Sequence, residues 1–297
     1  MKQFRSNARA LNEDAAGGSR IPADAGIGLR GDHYRRMDAE HPPVGWLEVH
    51  PENYFGRGGL PHHYLERLRA VYPLSFHGVG LSLGSVDPLD RGHLTRIAEL
   101  ASHYRPGLVS EHLSWGPFGG TPFNDLLPLP LTRESLEHFC ARVDEVQAYL
   151  GRQILVENPS TYLVSTGDEM NEPEFLNTLA RRTGCALLLD INNVYVCARN
   201  HGFDPRTWID AIDARSVGEF HLAGHVENVF EDGMLLIDSH NRPVCDDVWT
   251  LYRRAVERIG RRPTLIEWDS ELPELEVLVA EAATAQGILE TCRAVAA

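Results

Sequence analysis

The chain has 297 residues, 43% of them hydrophobic, and a formal net charge of −14. Its length and apolar content suffice to bury a core, and its acidic balance argues against a broad nucleic-acid interface, which needs basic patches against phosphate. Lys2 is the only lysine, which leaves no interior amine for a Schiff base or a lysine-assisted isomerisation.

Residues 1–24 are polar and rich in Ala, Gly and Asn, so a flexible leader is expected there, ahead of one domain over 25–297. The N-terminus reads as lacking the apolar core of a signal peptide, and no run of about 18 apolar residues occurs. Cys140, Cys185, Cys197, Cys245 and Cys292 are odd in number and lack CxxC spacing, as expected of reduced structural thiols. The expectation is a soluble, cytoplasmic protein without membrane contact.

Eight short apolar runs, bounded by Gly, Pro or charges, follow one another along the chain: 25–30, 45–50, 74–77, 107–112, 153–158, 186–193, 218–225 and 263–269. They are continuous rather than alternating, as in a parallel sheet covered on both faces. Helical stretches are expected between them at 61–71, 90–104, 132–150, 172–183, 205–214, 246–259 and 274–295, with Thr132 as an N-cap and a weaker first unit at 32–39. No linker interrupts the alternation. Eight strand–helix units predict an α/β fold, a single-domain TIM (β/α)8 barrel. A doubly wound open sheet is the runner-up, but no Gly-x-Gly-x-x-Gly follows the first run. The Gly- and Pro-rich insertion at 116–131 is expected over the C-terminal mouth, where barrel active sites sit.

Nearly every run ends in residues able to bind metal. The second supplies Glu48 and His50, with Asn53 beyond; the third His77; the fourth Glu111 and His112. The fifth ends in Glu157 and Asn158, and the sixth in Asp190, Asn192 and Asn193. The seventh carries His221 and His225, the loop after it Asp238 and His240, and the eighth Glu267 and Asp269. A lone strand-end His or Glu is more often structural, but seven consecutive strands doing the same is a different observation. Carboxylates packed together without Lys repel, and bound cations neutralise them. Oxygen and imidazole ligands without thiolate suit Fe, Mn or Zn. The candidates exceed what one ion holds, so a cluster of about two or three is expected. Asp238 and His240 are two apart and project from one side of an extended segment. His62 and His63 read as solvated, His33, His41, His93, His103, His138 and His201 lack a strand-end position, and Trp115 and Trp268 flank the mouth.

The segments Gly26-Ile-Gly-Leu-Arg30, Trp46-Leu-Glu-Val-His-Pro-Glu-Asn53, Ser75-Phe-His-Gly78, Ser110-Glu-His-Leu-Ser114, Val156-Glu-Asn-Pro-Ser160, Leu189-Asp-Ile-Asn-Asn193, His221-Leu-Ala-Gly-His225, Asp238-Ser-His240 and Ile266-Glu-Trp-Asp269 occur in this order. Together they resemble the multinuclear non-heme iron-dependent oxidative enzymes, a family long known only as a domain of unknown function. It includes the methanobactin oxidase subunit and the enzyme of 3-thiaglutamate biosynthesis. The resemblance implies a TIM barrel with about two to three irons, mixed Fe(II) and Fe(III), at its mouth and O2 as co-substrate. It also implies a substrate: a residue, usually Cys, of a ribosomally synthesised precursor peptide, delivered by a small partner protein with a leader-recognition domain. Carried over by residue, one iron uses Glu157, Asp190, His221 and Glu267, and a second Asn193, His225, Asp238 and His240. A third uses His50, His77 and Glu111, with Glu157 bridging. Asp238 and His240 are also the residues on which catalysis is expected to depend. The alternative is a metal-dependent hydrolase or isomerase on a related barrel, like an apurinic-site endonuclease (endonuclease IV) or a sugar isomerase. A metal-sequestering protein without catalysis is the third possibility.

Overall fold

The structure is a computed structural model that describes residues 20–295, except 122, 124 and 232. Its strands are β1 (Ala25–Gly28), β2 (Leu47–Val49), β3 (Leu74–His77), β4 (Leu108–His112), β5 (Leu155–Glu157), β6 (Ala186–Asp190) and β7 (Val217–Leu222). A hairpin of β8 (His225–Phe230) and β9 (Gly233–Asp238) follows, then β10 (Thr264–Ile266). Strands β1 to β7 and β10 pair in parallel and close on themselves, β1 lying between β2 and β10. Closure excludes the open doubly wound sheet. The fold is the expected TIM barrel, a single domain.

The helices form the outer ring: α1 (Tyr34–Glu40), α2 (Leu60–Leu68), α3 (Arg91–Tyr104), α4 (Arg133–Leu150), α5 (Glu172–Thr183), α6 (Ile191–His201), α7 (Pro205–Ala211), α8 (Asp246–Ile259) and α9 (Leu275–Val295). Thr132 caps α4 as expected, its Oγ1 accepting from Ser135 N at 3.1 Å. Among the described residues, no helix is long and apolar enough to cross a membrane.

The strands are buried on both faces, yet the faces differ. Leu47, Val49, Leu74, Phe76, Val109, Val156, Leu187, Leu189, Phe220 and Ile266 point outward and pack in the main core beneath the helices. The alternate residues point into the barrel. Low in the interior these are apolar: Leu265 packs with Trp46 and Ile21, and Leu155 with Ala186 and Leu188. Higher up they turn polar, beginning with Glu48 and Ser75, which stand opposite each other on β2 and β3.

Three local readings change. The sixth run stops being a strand at Asp190, because that carboxylate caps a helix, Oδ1 accepting from Asn193 N at 2.7 Å. Asn192 and Asn193 therefore lie in the first turn of α6, a helix not foreseen, and the sixth unit carries α7 as well. The seventh run ends at Leu222, and His225 instead opens the hairpin, paired with Asp238. The segment after Asp238 is not regularly extended, since His240 has φ +46°. The expected leader falls mostly on residues 1–19, outside those described. Residues 21–24 already belong to the barrel floor: Ile21 is buried and Asp24 O accepts from Trp46 Nε1 at 2.9 Å.

Trp46 fits there only because Gly26 lies beside it. A Cβ on Gly26 would sit 2.6 Å from the indole and 2.8 Å from the Trp46 carbonyl oxygen. Overpacking of this kind costs about 1–3 kcal/mol. Gly26→Ala is expected to lower the thermal unfolding midpoint by several degrees, and an unchanged midpoint would contradict the close approach.

Candidate metal centre

The inward positions at the strand tops bring their donor atoms together. Glu157 on β5 sits between two imidazoles, Oε2 lying 3.1 Å from His77 Nε2 and 3.2 Å from His112 Nε2. His221 on β7 places Nδ1 3.1 Å from Glu267 Oε2, while Nε2 lies 3.2 Å from Glu48 Oε2 and 3.6 Å from Glu219 Oε1. Donor atoms of Glu157, Asp190, His221 and Glu267 all lie within 4.8 Å of one another. The same spacing holds for His77, His112 and Glu157, and for His77, His221 and Glu267. These sets share members, so they form one continuous cluster rather than separate sites.

The neighbours orient the rings. His112 Nδ1 donates to the Gly78 carbonyl at 3.1 Å, which leaves the Nε2 lone pair facing the cluster, the arrangement a metal-binding histidine needs. His50 differs. Its Nδ1 donates to the His77 carbonyl at 3.0 Å, and its Nε2 accepts from the Arg30 guanidinium at 3.1 Å. Arg30 is also ion-paired with Asp269. His50 is thus near enough to group with Glu267 and Asp269, but its free nitrogen is occupied by Arg30.

Of the expected site residues, His77, Glu157, Asp190, His221 and Glu267 converge directly. Glu111 does not. Its carboxylate accepts from the backbone N–H of Leu81 at 2.9 Å and of His112 at 3.1 Å. Glu111 shares the outward face of β4 with Val109, whereas His112 shares the inward face with Ser110. Strand alternation allows only one of these neighbours inside, and the packing of Val109 in the core beneath the helices selects His112. The same alternation carries Glu219, two residues before His221 and not singled out, into the barrel. A register shift at Gly218 against β6 sets that inward phase.

The remaining expected residues form a rim. His240 Nε2 lies 2.7 Å from Asp238 Oδ1, and Nδ1 lies 3.0 Å from Asp269 Oδ2 and 3.5 Å from Glu267 Oε2. Asn192 links this pair to His225, donating to Asp238 Oδ1 at 2.7 Å and accepting from His225 Nδ1 at 2.9 Å. Asn193 donates to the Asn158 carbonyl at 3.1 Å. Among the described residues, no group of three donor atoms within 4.8 Å includes His225, Asp238 or His240. The structure therefore does not gather Asn193, His225, Asp238 and His240 at one point.

Electrostatics fit a cation. Burial disfavours charge on His77, but the Glu48 and Glu157 carboxylates outweigh it and raise the imidazole to about 10. Burial likewise opposes, and Glu48 and Glu267 overcome, in raising His221 well above its usual range. Burial, then Glu157 and Asp238, push Asp190 well above the carboxylate range, and burial lifts Glu219 to about 7. Asp190 Oδ2 and Asn193 Oδ1 are buried without a hydrogen-bond partner. Such atoms are costly unless satisfied. Hard oxygen and nitrogen donors gathered around one point suit a bound transition metal.

A family model described as the RiPP precursor modification enzymes MbnB/TglH/ChrH matches residues 24–290. The chain belongs to this family. Membership makes it an enzyme and implies a precursor peptide as substrate. A UPF0276 protein of Chromobacterium violaceum is 49% identical over 269 residues, 91% of this chain and 96% of that one. Another, of Paraburkholderia phytofirmans, is 47% identical over 270 residues, 91% of this chain and 88% of its own. A solved L-ribulose 3-epimerase superposes with a TM-score of 0.61 at 16% identity, covering 92% of this chain and 96% of the other. That likeness concerns the fold alone.

The geometry separates His112 from Glu111. His112→Ala is expected to lower bound metal by about one ion per chain, while Glu111→Gln keeps the full complement, as read by elemental analysis; equal losses would reject the distinction. His77 and His221 carry protons near neutral pH because their values are raised. Metal must displace those protons, so affinity rises with pH. Calorimetric titration of metal into metal-free protein is expected to give heats that depend on the buffer's ionisation enthalpy. Identical heats in phosphate and Tris would contradict it.

Proposed function

We propose that this enzyme is a multinuclear non-heme iron-dependent, O2-using oxidase that modifies a residue, in the first instance Cys, of its precursor peptide. The observation that carries the reading is the cluster of His77, His112, Glu157, Asp190, His221 and Glu267, whose buried donor atoms face one another with no lysine among them. About two to three irons fit the overlapping ligand sets. Iron, when bound, supplies O2 activation and one-electron oxidation, and hard oxygen and nitrogen donors favour its oxidised state.

The protein's own residues have distinct tasks in this proposal. Glu157, which groups with His77 and His112 on one side and with Asp190 on the other, would hold metal from both ligand sets. Glu267 joins the buried cluster to the rim through His240. Asp238 and His240, 2.7 Å apart at the rim, are the residues assigned to catalysis. His225 and Asn193 are assigned with them to a further metal position, which needs the Asn192 side chain to release His225 and Asp238. Arg30 holds Asp269 and His50 in place and supplies the positive charge at the rim.

A small partner protein that recognises the peptide's leader is part of the proposal. So is a cytoplasmic location, which suits the free thiols of Cys140, Cys185, Cys197 and Cys245. The alternative, a metal-dependent hydrolase or isomerase, has only the shared barrel in its favour.

Anaerobically purified protein is expected to contain about two to three irons per chain and to consume O2 only with a Cys-bearing precursor peptide. A Cys→Ser peptide abolishes consumption. His240→Ala and Asp238→Ala are expected to reduce turnover at least a hundredfold while circular dichroism stays unchanged. Stoichiometric zinc with phosphodiesterase activity would reject the oxidase reading, and survival of turnover in both variants would reject the site assignment.

A further inference from the structure

A cavity of about 950 Å³ opens between the segments that follow β4 and β5 and the helices α6 and α7. Its walls include Leu113, Trp115, Leu131, Pro159, Leu163 and Trp208. Leu113 directly follows His112, and Pro159 lies two residues beyond Glu157, so the chain segments that leave the cluster-bearing strands supply part of the cavity wall. One wall is residues 127–131, where Leu127 is bridged to Trp115. At the edge, Leu163 and Val164 are 72% and 66% exposed. Exposed apolar side chains lining a concavity of this size mark a binding site.

The carboxylates of the lining outnumber its one basic side chain, His201, whose Nε2 is bonded to the Thr161 carbonyl at 2.7 Å. The lining contains Asp168, Glu172 and Asp204 and, among the described residues, no Lys or Arg. The hydrogen bonds that hold these carboxylates come from uncharged donors: Leu131 N to Asp168, Trp208 Nε1 to Glu172, and Arg206 N and Thr207 N to Asp204. Burial raises the Glu172 carboxyl to about 7, with the Trp208 indole opposing. A cation beside it would restore its charge. An anionic lipid head group would meet three carboxylates here, and a second copy of this chain brings its own net charge of −14. Both are disfavoured.

We propose that this cavity anchors the precursor peptide through large apolar side chains flanked by Lys or Arg. That the ligand is a peptide rests on the family and on the function proposed above; the apolar and acidic character of the cavity does not.

The test uses the metal-loaded protein without O2 and three fluorescein-labelled synthetic peptides of equal length. One carries Leu-Phe between arginines, one Leu-Phe between aspartates, and one Ser-Ser between arginines. Fluorescence anisotropy is expected to show the first binding at least tenfold more tightly than either other. Leu163→Ser with Val164→Ser, a change at exposed positions that leaves folding and metal content intact, lowers that affinity at least fivefold. Equal affinities for the three peptides, or an unchanged affinity in the double variant, overturns the proposal. Decanoate displacing the first peptide at lower concentration than the unlabelled peptide itself would assign the cavity to lipid and overturn it too. Because no turnover is read, a failure to oxidise peptide leaves a positive result standing, and a failure to bind leaves the oxidase test standing.

Discussion

Glu48, Glu157, Asp190, Glu219 and Glu267 are all buried in the interior of one closed barrel, and none has a lysine to balance it. Taking even one carboxylate out of water costs several kcal/mol unless a counter-charge accompanies it. The positive charge available inside comes from His77 and His221, and at the rim from His240 and Arg30. Without metal, the balance is met by protons, which is why the two innermost histidines are held in their charged form and why Asp190 and Glu219 are pushed toward neutrality. Cations remove that conflict. A bound cation would therefore relieve the interior charge as well as serve chemistry.

Closure of the sheet sets the geometry that this charge balance needs. Parallel strands bring their C-terminal ends to one face, and strand pleat sends every second side chain inward. The lower interior is filled by Trp46, Leu155, Leu188 and Leu265, which seal the floor and keep water from the carboxylates above. The rim is built differently. It comes from α6, whose cap is itself Asp190, and from the hairpin, whose two ends place His225 and Asp238 side by side. One residue, Asp190, thus ends a strand, starts a helix and faces the metal cluster. That economy ties the position of the rim to the position of the cluster.

The same barrel carries sugar epimerases and other metal enzymes, so the fold does not decide the chemistry. The lining does. A cluster of imidazole and carboxylate with no interior amine can hold metal ions, and a separate cavity is lined mainly by apolar side chains. The acidic lining of that cavity and the acidic surface as a whole both favour a partner that carries positive charge.

Much of this was legible in the sequence. Eight apolar runs with helical stretches between them determined the barrel, because each element's character is local. The recurring strand-end His, Glu and Asp pointed to a candidate metal-binding cluster and to the strands that build it. The tertiary structure decided which neighbour on a strand faces it. Glu111 and His112 are adjacent and equally good ligands in sequence, but the face that is interior depends on the packing of Val109 beneath a helix. Glu219 enters the barrel through a register shift that only pairing with β6 reveals. The occupation of His50 by Arg30, the link from His225 through Asn192 to Asp238, and the cavity walled in part by residues 127–131 join residues tens to hundreds of positions apart. No local pattern encodes such contacts, because they arise from the order in which the strands close.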